Sequence, residues 1–467
     1  MRESRNPNDM IGGKSRDPDL GGRQALVIGY GRSGRAAASF ITKQGGTVRV
    51  VDRADTPELR AELQQAGIHA RLGGYGPEDL NGTDLVVVSP GVAWDAPLVE
   101  TARQRGIAVT SEIDLFFRAC PARIAGITGT NGKTTTTALT AEVLRAGGLR
   151  VMRGGNIGEP VLDRIDQLGA DDWVVLELSS FQLESIEHPR LRVGVVLNVT
   201  PDHLDRHKSF EHYVELKTRA VAYMEPDDHA VLNLDDPACA AMRSKTRGQL
   251  IEFGLHQPVS HGVTVSDGWI IIAGTGPSLR VLRTADVPLP GEHNVSNVMA
   301  AIAAGHAAGV GLATLGQAVR EFEAVEHRLE PIGTFGGARW YNDSKATNPD
   351  STYKALAAFS EPIVLIAGGR NKGIDLEPLA LAIASRVDAL ITIGETGEEL
   401  ARRVRDAGLQ HVQQATDLTD AVRKAAALAR PGSVVLLLPA FTSYDMFRDY
   451  EDRGRRFKST VLAELGR

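Results

Sequence analysis

Short runs rich in Val, Ile and Leu recur along this chain, alternating with helix-like stretches. "QALVIG" (24–29), "TVRVV" (47–51) and "DLVVVS" (84–89) form a first set. A second set begins at "ARIAGITG" (122–129) and continues through "DWVVLELSS" (172–180), "RVGVVLNVT" (192–200) and "HAVLNLDD" (229–236). "ARWYNDS" (338–344), "PIVLIAGG" (362–369), "DALITIGE" (388–395) and "SVVLLLPA" (433–440) make a third. Runs without polar alternation suit strands buried on both faces of a parallel sheet, and their alternation with helices predicts layered α/β domains. "GVTVS" and "GWIIIAG", which flank a turn, predict an antiparallel pair inside the second set. Three domains are expected, over 24–118, 119–325 and 326–467. They follow a loose tail over 1–23, which is rich in Gly, Pro, Asp, Asn and Arg and has no hydrophobic period.

Composition narrows the class of protein. The 467 residues are 42% hydrophobic and 24% charged, with a net charge of −6, an ordinary globular balance that offers no broad nucleic-acid surface. No apolar run approaches the roughly 20 residues that cross a bilayer, and the first residues lack the apolar core of a secretion signal. With Cys120 and Cys239 as the only cysteines, neither a disulfide framework nor a cysteine metal site is expected, which points to a reducing cytoplasm.

Candidate chemistry centres on "GITGTNGKTTT" (126–136). The common phosphate loop has four residues between its first glycine and Gly-Lys-Ser/Thr. Here Gly132-Lys133-Thr134 fits, but Ile127 stands where that first glycine belongs. The context is still that of a phosphate loop: an apolar strand, a glycine-rich turn and a helix opening at Lys133. Backbone N–H groups of Gly129, Thr130, Asn131 and Gly132 can curl around phosphate, assisted by the helix N-terminus. Lys133 would reach the terminal phosphates and Thr134 would offer a hydroxyl to Mg²⁺. A plain strand-to-helix turn is the alternative. In the first domain, "GYGRSG" (29–34) followed by Asp52 at the end of the next strand is a dinucleotide fingerprint, which by itself points to NAD.

The "TGTNGKTTT" form of the loop resembles that of the Mur ligases, the peptidoglycan stem-peptide family to which folylpolyglutamate synthase is related. "ELSSFQLE" (177–184), "NVTPDHLDRH" (198–207), "GEHNVSNVMAA" (291–301), "EHRLE" (326–330) and "NDSKATNP" (342–349) follow in family order. The likeness runs from about residue 25 to the C-terminus. "YNDSKATNP" and "PAFTSYDMFRDYEDRGRRF" (439–457) resemble the D-glutamate-adding branch, and the Asn-Pro-Arg motif of the diaminopimelate- or lysine-adding branch is missing.

This resemblance implies a Rossmann-like UDP-binding domain, a central phosphate-loop ATPase-type domain with a mostly parallel sheet, and a Rossmann-like C-terminal domain. It implies an amide ligase that phosphorylates the carboxylate of UDP-N-acetylmuramoyl-L-alanine with ATP and lets D-glutamate displace the phosphate, in a cytoplasmic monomer. Thr134 and Glu177 would serve one Mg²⁺, while His203 and a carbamylated Lys217 would serve a second. Thr135 joins the loop contacts, Asn294 and Asn297 meet adenine, and Arg328 and Asp343 meet phosphates and ribose. Helix capping by the two asparagines and a solvated surface Lys217 are the bland alternatives. Arg32, Ser33, Asp52, Arg53, Ser89, Gly91, Asn156 and His203 match contacts to the UDP-sugar. Lys345, Thr347, Lys372, Ser443, Tyr444 and Tyr450 match those to D-glutamate, the two tyrosines standing where the family often has Leu and Phe. Rival expectations are a sibling or folylpolyglutamate-type ligase, an NAD-linked oxidoreductase, and a non-catalytic nucleotide sensor of the same fold.

Overall fold

The computed structural model describes residues 19–156, 158–202 and 204–466. It divides into two compact units, one of residues up to Lys133 with Leu144–Phe253 and Ala303–Val310, the other of Thr134–Val143, Gly254–Ile302 and Gly311–Arg467. The first unit opens with β1 (Gln24–Ile28), β2 (Thr47–Asp52), β3 (His69–Leu72), β4 (Leu85–Val88) and β5 (Ala108–Ser111). They form a parallel sheet in the order β3-β2-β1-β4-β5. Ala25 and Val27 enter one apolar core while Leu26 and Ile28 enter another, so β1 needs apolar residues on both faces. The strand order reverses beside β1, and a cleft outside the strand ends is expected there.

Gly34 closes the turn after β1. A Cβ on it would lie 2.1 Å from the Gly29 carbonyl oxygen, so the helix Arg32–Lys43 packs this tightly only with glycine. The same unit contains β6 (Arg123–Thr128), β7 (Val151–Gly155), β8 (Trp173–Glu177), β9 (Val193–Val196), β10 (His229–Asn233) and β11 (Gln249–Gly254), parallel in the order β11-β10-β9-β6-β8-β7. One continuous core joins the two sheets: Phe40, Ile41 and Phe116 pack with Val161, Leu162 and Ile165. Polar links seal the seam, with Leu162 N donating to Glu112 Oε1 at 3.2 Å and Ser111 Oγ 2.9 Å from Ser185 Oγ.

In the second unit, β12 (Gly262–Ser266), β13 (Trp269–Ala273) and β14 (Leu279–Arg283) form the antiparallel meander of which the first two strands were expected. A further sheet comprises β15 (Glu330–Phe335), β16 (Ala338–Asn342), β17 (Ile363–Gly368), β18 (Ala389–Ile393), β19 (Val412–Gln414) and β20 (Val434–Leu437). Its order is β15-β16-β20-β17-β18-β19, with β15 antiparallel to β16 and the other pairs parallel. Apolar cores cover both faces.

The expected loose tail over 1–23 is shortened at its end. Residues 1–18 lie outside the described residues, but Leu20 is buried in the first core and Gly22 N donates to Gly45 O at 3.0 Å. Among the described residues, no helix is long and apolar enough to cross a membrane. Gly34→Ala is expected to cost about 1–3 kcal/mol by overpacking. Gly31→Ala, where an added Cβ meets nothing within 4 Å, serves as the control. Equal urea midpoints for the two variants would refute this account of the turn.

Candidate functional site

The phosphate loop bridges β6 and the helix Lys133–Ala146. Gly129 (φ 153°) and Gly132 (φ 85°) adopt backbone conformations that side chains disfavour, which explains glycine at both. The residues after β9 clamp the loop: Asn131 N donates to Asn198 Oδ1 at 2.8 Å, and Asn198 Nδ2 returns a bond to Asn131 O at 3.1 Å. Thr130 N donates to Asn198 O, and Thr130 Oγ1 lies 3.3 Å from the Tyr213 hydroxyl.

Two lysines converge on one loop carbonyl. Lys133 Nζ donates to Gly129 O at 2.9 Å and to Thr130 O at 2.8 Å, and Lys217 Nζ donates to Gly129 O at 2.9 Å. Lys217 is 1% exposed, which removes the surface-lysine alternative. Burial, followed by the nearby Lys133 ammonium, holds its pKa well below the usual lysine value. Its Nζ also sits 4.5 Å over the Tyr213 ring, a contact that favours the ammonium form.

Glu177 ends β8 opposite Ile127 in the register with β6 and is buried. Asn156 anchors it twice, Nδ2 donating to Oε1 at 3.1 Å and the backbone N to Glu177 O at 2.8 Å. A buried carboxylate at the end of a central strand suits a hard divalent cation such as Mg²⁺. His203 lies outside the described residues.

In the second unit, Thr134 Oγ1 accepts a 2.9 Å bond from Arg328 Nη2. Arg328 is flanked by His327 (φ 66°) and Leu329 (φ 42°), two non-glycine residues in the left-handed region, which marks a constrained segment. Asn342 Nδ2 holds His327 Nδ1 at 2.9 Å, and Glu330 Oε2 accepts from His327 N at 3.0 Å. Glu326, His327 and Glu330 cluster as metal ligands might, but Glu330 is committed to Lys458 and Asn342. Burial pushes the Asp343 carboxyl up to about 7 despite the Arg328 guanidinium beside it.

The capping alternative fails for Asn294 and Asn297. They lie inside the helix Glu292–Ala307, and both side chains donate: Asn294 Nδ2 to Pro290 O at 2.7 Å, and Asn297 Nδ2 to Asn294 Oδ1 at 3.1 Å. An N-cap side chain accepts from the helix backbone, so these amides do another job.

The residues matched to D-glutamate divide into two lysine–tyrosine pairs. Lys345 Nζ lies 5.3 Å over the Tyr450 ring and Lys372 Nζ 5.6 Å over the Tyr444 ring. Ser443 is buried, whereas Tyr444 is 58% exposed and therefore not part of a buried apolar wall. Thr347 is half-buried at the end of the same loop as Lys345. Arg453, absent from the sequence expectations, is the buried tie between the two loops. Its guanidinium donates to Ser344 O at 2.8 Å and Phe441 O at 3.2 Å. The quoted C-terminal signature contained it, but nothing in the signature separates a buried arginine from its exposed neighbours.

In the first unit a cleft of about 770 Å³ opens beside β1. Gly29, Gly31, Arg32, Ser33, Asp52, Arg53, Ser89 and Gly91 line it, while Asn156 does not. Asp52 differs from a dinucleotide-site acid: Oδ2 accepts from Tyr30 N at 2.7 Å and Oδ1 from Ala54 N at 2.8 Å. Its carboxylate builds the turn. Ser89 Oγ likewise donates to Gly29 O at 2.6 Å. Arg206, which the sequence reading passed over, also lines the cleft.

Family models match three successive segments: the Mur ligase MurD-like N-terminal domain over 23–111, the Mur ligase middle domain over 127–305, and the Mur ligase glutamate ligase domain over 327–441. The chain belongs to the Mur ligase family. Among its relatives, a UDP-N-acetylmuramoylalanine–D-glutamate ligase of Pelotomaculum thermopropionicum is 42% identical over 95% of this chain and 98% of its own. One of Koribacter versatilis is 41% identical over 95% and 98%. The pseudomurein peptide ligase type C of Methanothermus fervidus superposes with a TM-score of 0.59 at 20% identity, covering 94% of this chain and all of that one. The UDP-N-acetylmuramate–alanine ligase of Thermotoga maritima gives 0.58 at 21% identity, over 94% and 99%. These solved structures share the three-domain Mur ligase fold.

Asp343 supplies a pH signature for this Mur ligase. The unfolded carboxyl titrates near 3.9, so between about pH 4 and 7 the folded state keeps a proton that the unfolded state releases. Its contribution to stability is complete below the unfolded value and is lost as pH rises through about 7. Asp343→Asn, which mimics the protonated acid, should therefore gain on the wild type by ~2–4 kcal/mol between pH 4.5 and 7.5 in urea titrations. A pH-independent difference would refute the assignment.

Proposed function

We propose that this chain is an ATP-dependent ligase that joins D-glutamate to UDP-N-acetylmuramoyl-L-alanine, working as a cytoplasmic monomer with its domains dividing near residues 119 and 325. The observation that carries the proposal is the loop at Gly129, where a phosphate-binding turn meets Lys133 and the buried Lys217. The near-full-length likeness to D-glutamate ligases supports the choice of substrates.

A carboxylate cannot be displaced by an amine because oxide would have to leave. Transfer of the ATP γ-phosphoryl group to the alanyl carboxylate expels ADP and gives an acyl phosphate. The D-glutamate amine then attacks the carbonyl, the C–O bond to phosphate breaks, and the nitrogen loses its proton. Lys133 and the loop N–H groups align and neutralise the phosphates. Thr134 and Glu177 would hold one Mg²⁺, with His203 and Lys217 assigned to a second, and the metal supplies charge neutralisation when bound. Asn294 and Asn297 are assigned to adenine, Arg328 and Asp343 to phosphate and ribose. Lys345, Thr347, Lys372 and Ser443, with Tyr444 and Tyr450 beside them, are assigned to the two carboxylates of D-glutamate. Arg32, Ser33, Arg53, Ser89, Gly91 and Asn156 are assigned to the sugar nucleotide, with Asp52 shaping the turn beneath it.

The neutral amine that burial favours at Lys217 is the form that adds CO₂, and carbamylation would turn this cation into a metal-facing anion. Depleting bicarbonate should lower activity and restoring it should recover the loss, accompanied by a ¹³C-carbamate signal that Lys217→Ala lacks. Phosphate release should require the sugar nucleotide and D-glutamate together. Turnover with L-glutamate or diaminopimelate instead would reassign the chain to a sibling ligase. Lys133→Ala should lower kcat by ~10²–10³-fold. Wild-type turnover in that variant would end the proposal.

A further inference from the structure

The first unit's cleft is lined by three guanidiniums against two carboxylates. Asp52 already accepts two backbone N–H bonds, and Asp95 is paired with Lys208 Nζ at 3.2 Å. Arg32, Arg53 and Arg206 also line the cleft, and no carboxylate among the described residues pairs with any of them. Arg32 opens the helix after β1, and Arg53 follows the end of β2. Arg206 comes from the short helix Leu204–His207 after β9, in the part of the chain that also forms the wall of the phosphate loop.

Arg206 is exposed, yet it is not left to wander. Its guanidinium lies 5.2 Å over the ring of Phe181. His207 also stacks on that ring, at 4.7 Å, and is buried, with Nε2 2.9 Å from Ser180 Oγ. His207 in turn packs 5.2 Å from Tyr213, whose hydroxyl meets Thr130 of the phosphate loop. A guanidinium placed over an aromatic ring is steadied by the ring, while its N–H groups can still fork to anionic oxygens.

We propose that Arg206 is a binding residue for the diphosphate of the sugar nucleotide, closing the cleft from the side opposite Arg32 and Arg53 in chain origin, and that Phe181 positions it. This rests on the assignment of the cleft to a sugar nucleotide. The ligand class it selects is a nucleoside diphosphate. Engagement of Arg206 would link capture of that group to the Phe181–His207–Tyr213 stack that leads to the phosphate loop.

The test compares wild type, Arg206→Ala, Arg206→Lys and Phe181→Leu by UDP titration calorimetry and steady-state kinetics. Arg206→Ala should weaken UDP binding and raise KM for UDP-N-acetylmuramoyl-L-alanine, each by ~10–100-fold, as expected for losing a charge-assisted bond. KM for ATP and for D-glutamate should stay within about twofold. Arg206→Lys should recover part of the loss. Phe181→Leu should weaken UDP binding several-fold in wild type and add nothing to Arg206→Ala, because the two act as one unit. Unchanged unfolding midpoints would separate these effects from misfolding. UDP binding by Arg206→Ala as tight as wild type would overturn the role of Arg206 while leaving the cleft intact. Failure of the wild type to bind UDP would instead overturn the assignment of the cleft.

Discussion

The site in the first unit depends on one backbone oxygen. Gly129 O accepts bonds from both Lys133 and Lys217, so two like charges are brought to a single dipole beside the phosphate loop. Such crowding is unfavourable unless one amine gives up its proton or an anion enters, and the lowered pKa of Lys217 reports the first of these pressures. The loop tolerates the arrangement because Asn198 grips Asn131 in both directions and Gly129 takes a backbone conformation closed to other residues. β9, the loop and the helix Phe210–Ala222 that carries Lys217 are thus specified together.

Two ways of preparing for phosphate coexist in that unit. The loop after β6 uses backbone N–H groups, a helix start, Lys133 and a second lysine, Lys217, whose charge is constrained by burial. The cleft beside β1 is lined by arginines that lie over aromatic rings at the surface, where their charge is permanent. Buried lysines suit chemistry in which charge must change, whereas exposed guanidiniums suit retention of an anion that passes through unaltered.

Much of the fold was legible because the central strands are buried on both faces. The strands Leu85–Val88, Val193–Val196 and Val434–Leu437 carry no polar residue, and each lies inside its sheet. The strands that escaped notice include β3, β7, β15 and β19, which lie at sheet edges and have exposed positions. Their composition merges with the loops around them. At the site, residue type and motif order located the phosphate loop and Glu177, but not what each side chain is bonded to. Asp52 sits where a ribose acceptor belongs, yet backbone N–H groups of Tyr30 and Ala54 occupy its two oxygens. Asn294 and Asn297 carry a capping residue type in a helix that starts before them. Arg453 and Arg206 look alike in sequence, and only the folded chain distinguishes a buried loop tie from a cation facing a cleft.

The apolar seam in which Phe40 and Phe116 meet Val161 and Ile165 bears on how this architecture can be altered. Cutting the chain near residue 120 would expose greasy surfaces on both fragments and strand the Glu112 carboxyl without its backbone donor. The sugar-nucleotide module is therefore not interchangeable cargo. Any transplanted substitute must bring a matching underside, which ties the evolution of what is bound to the evolution of what it rests upon.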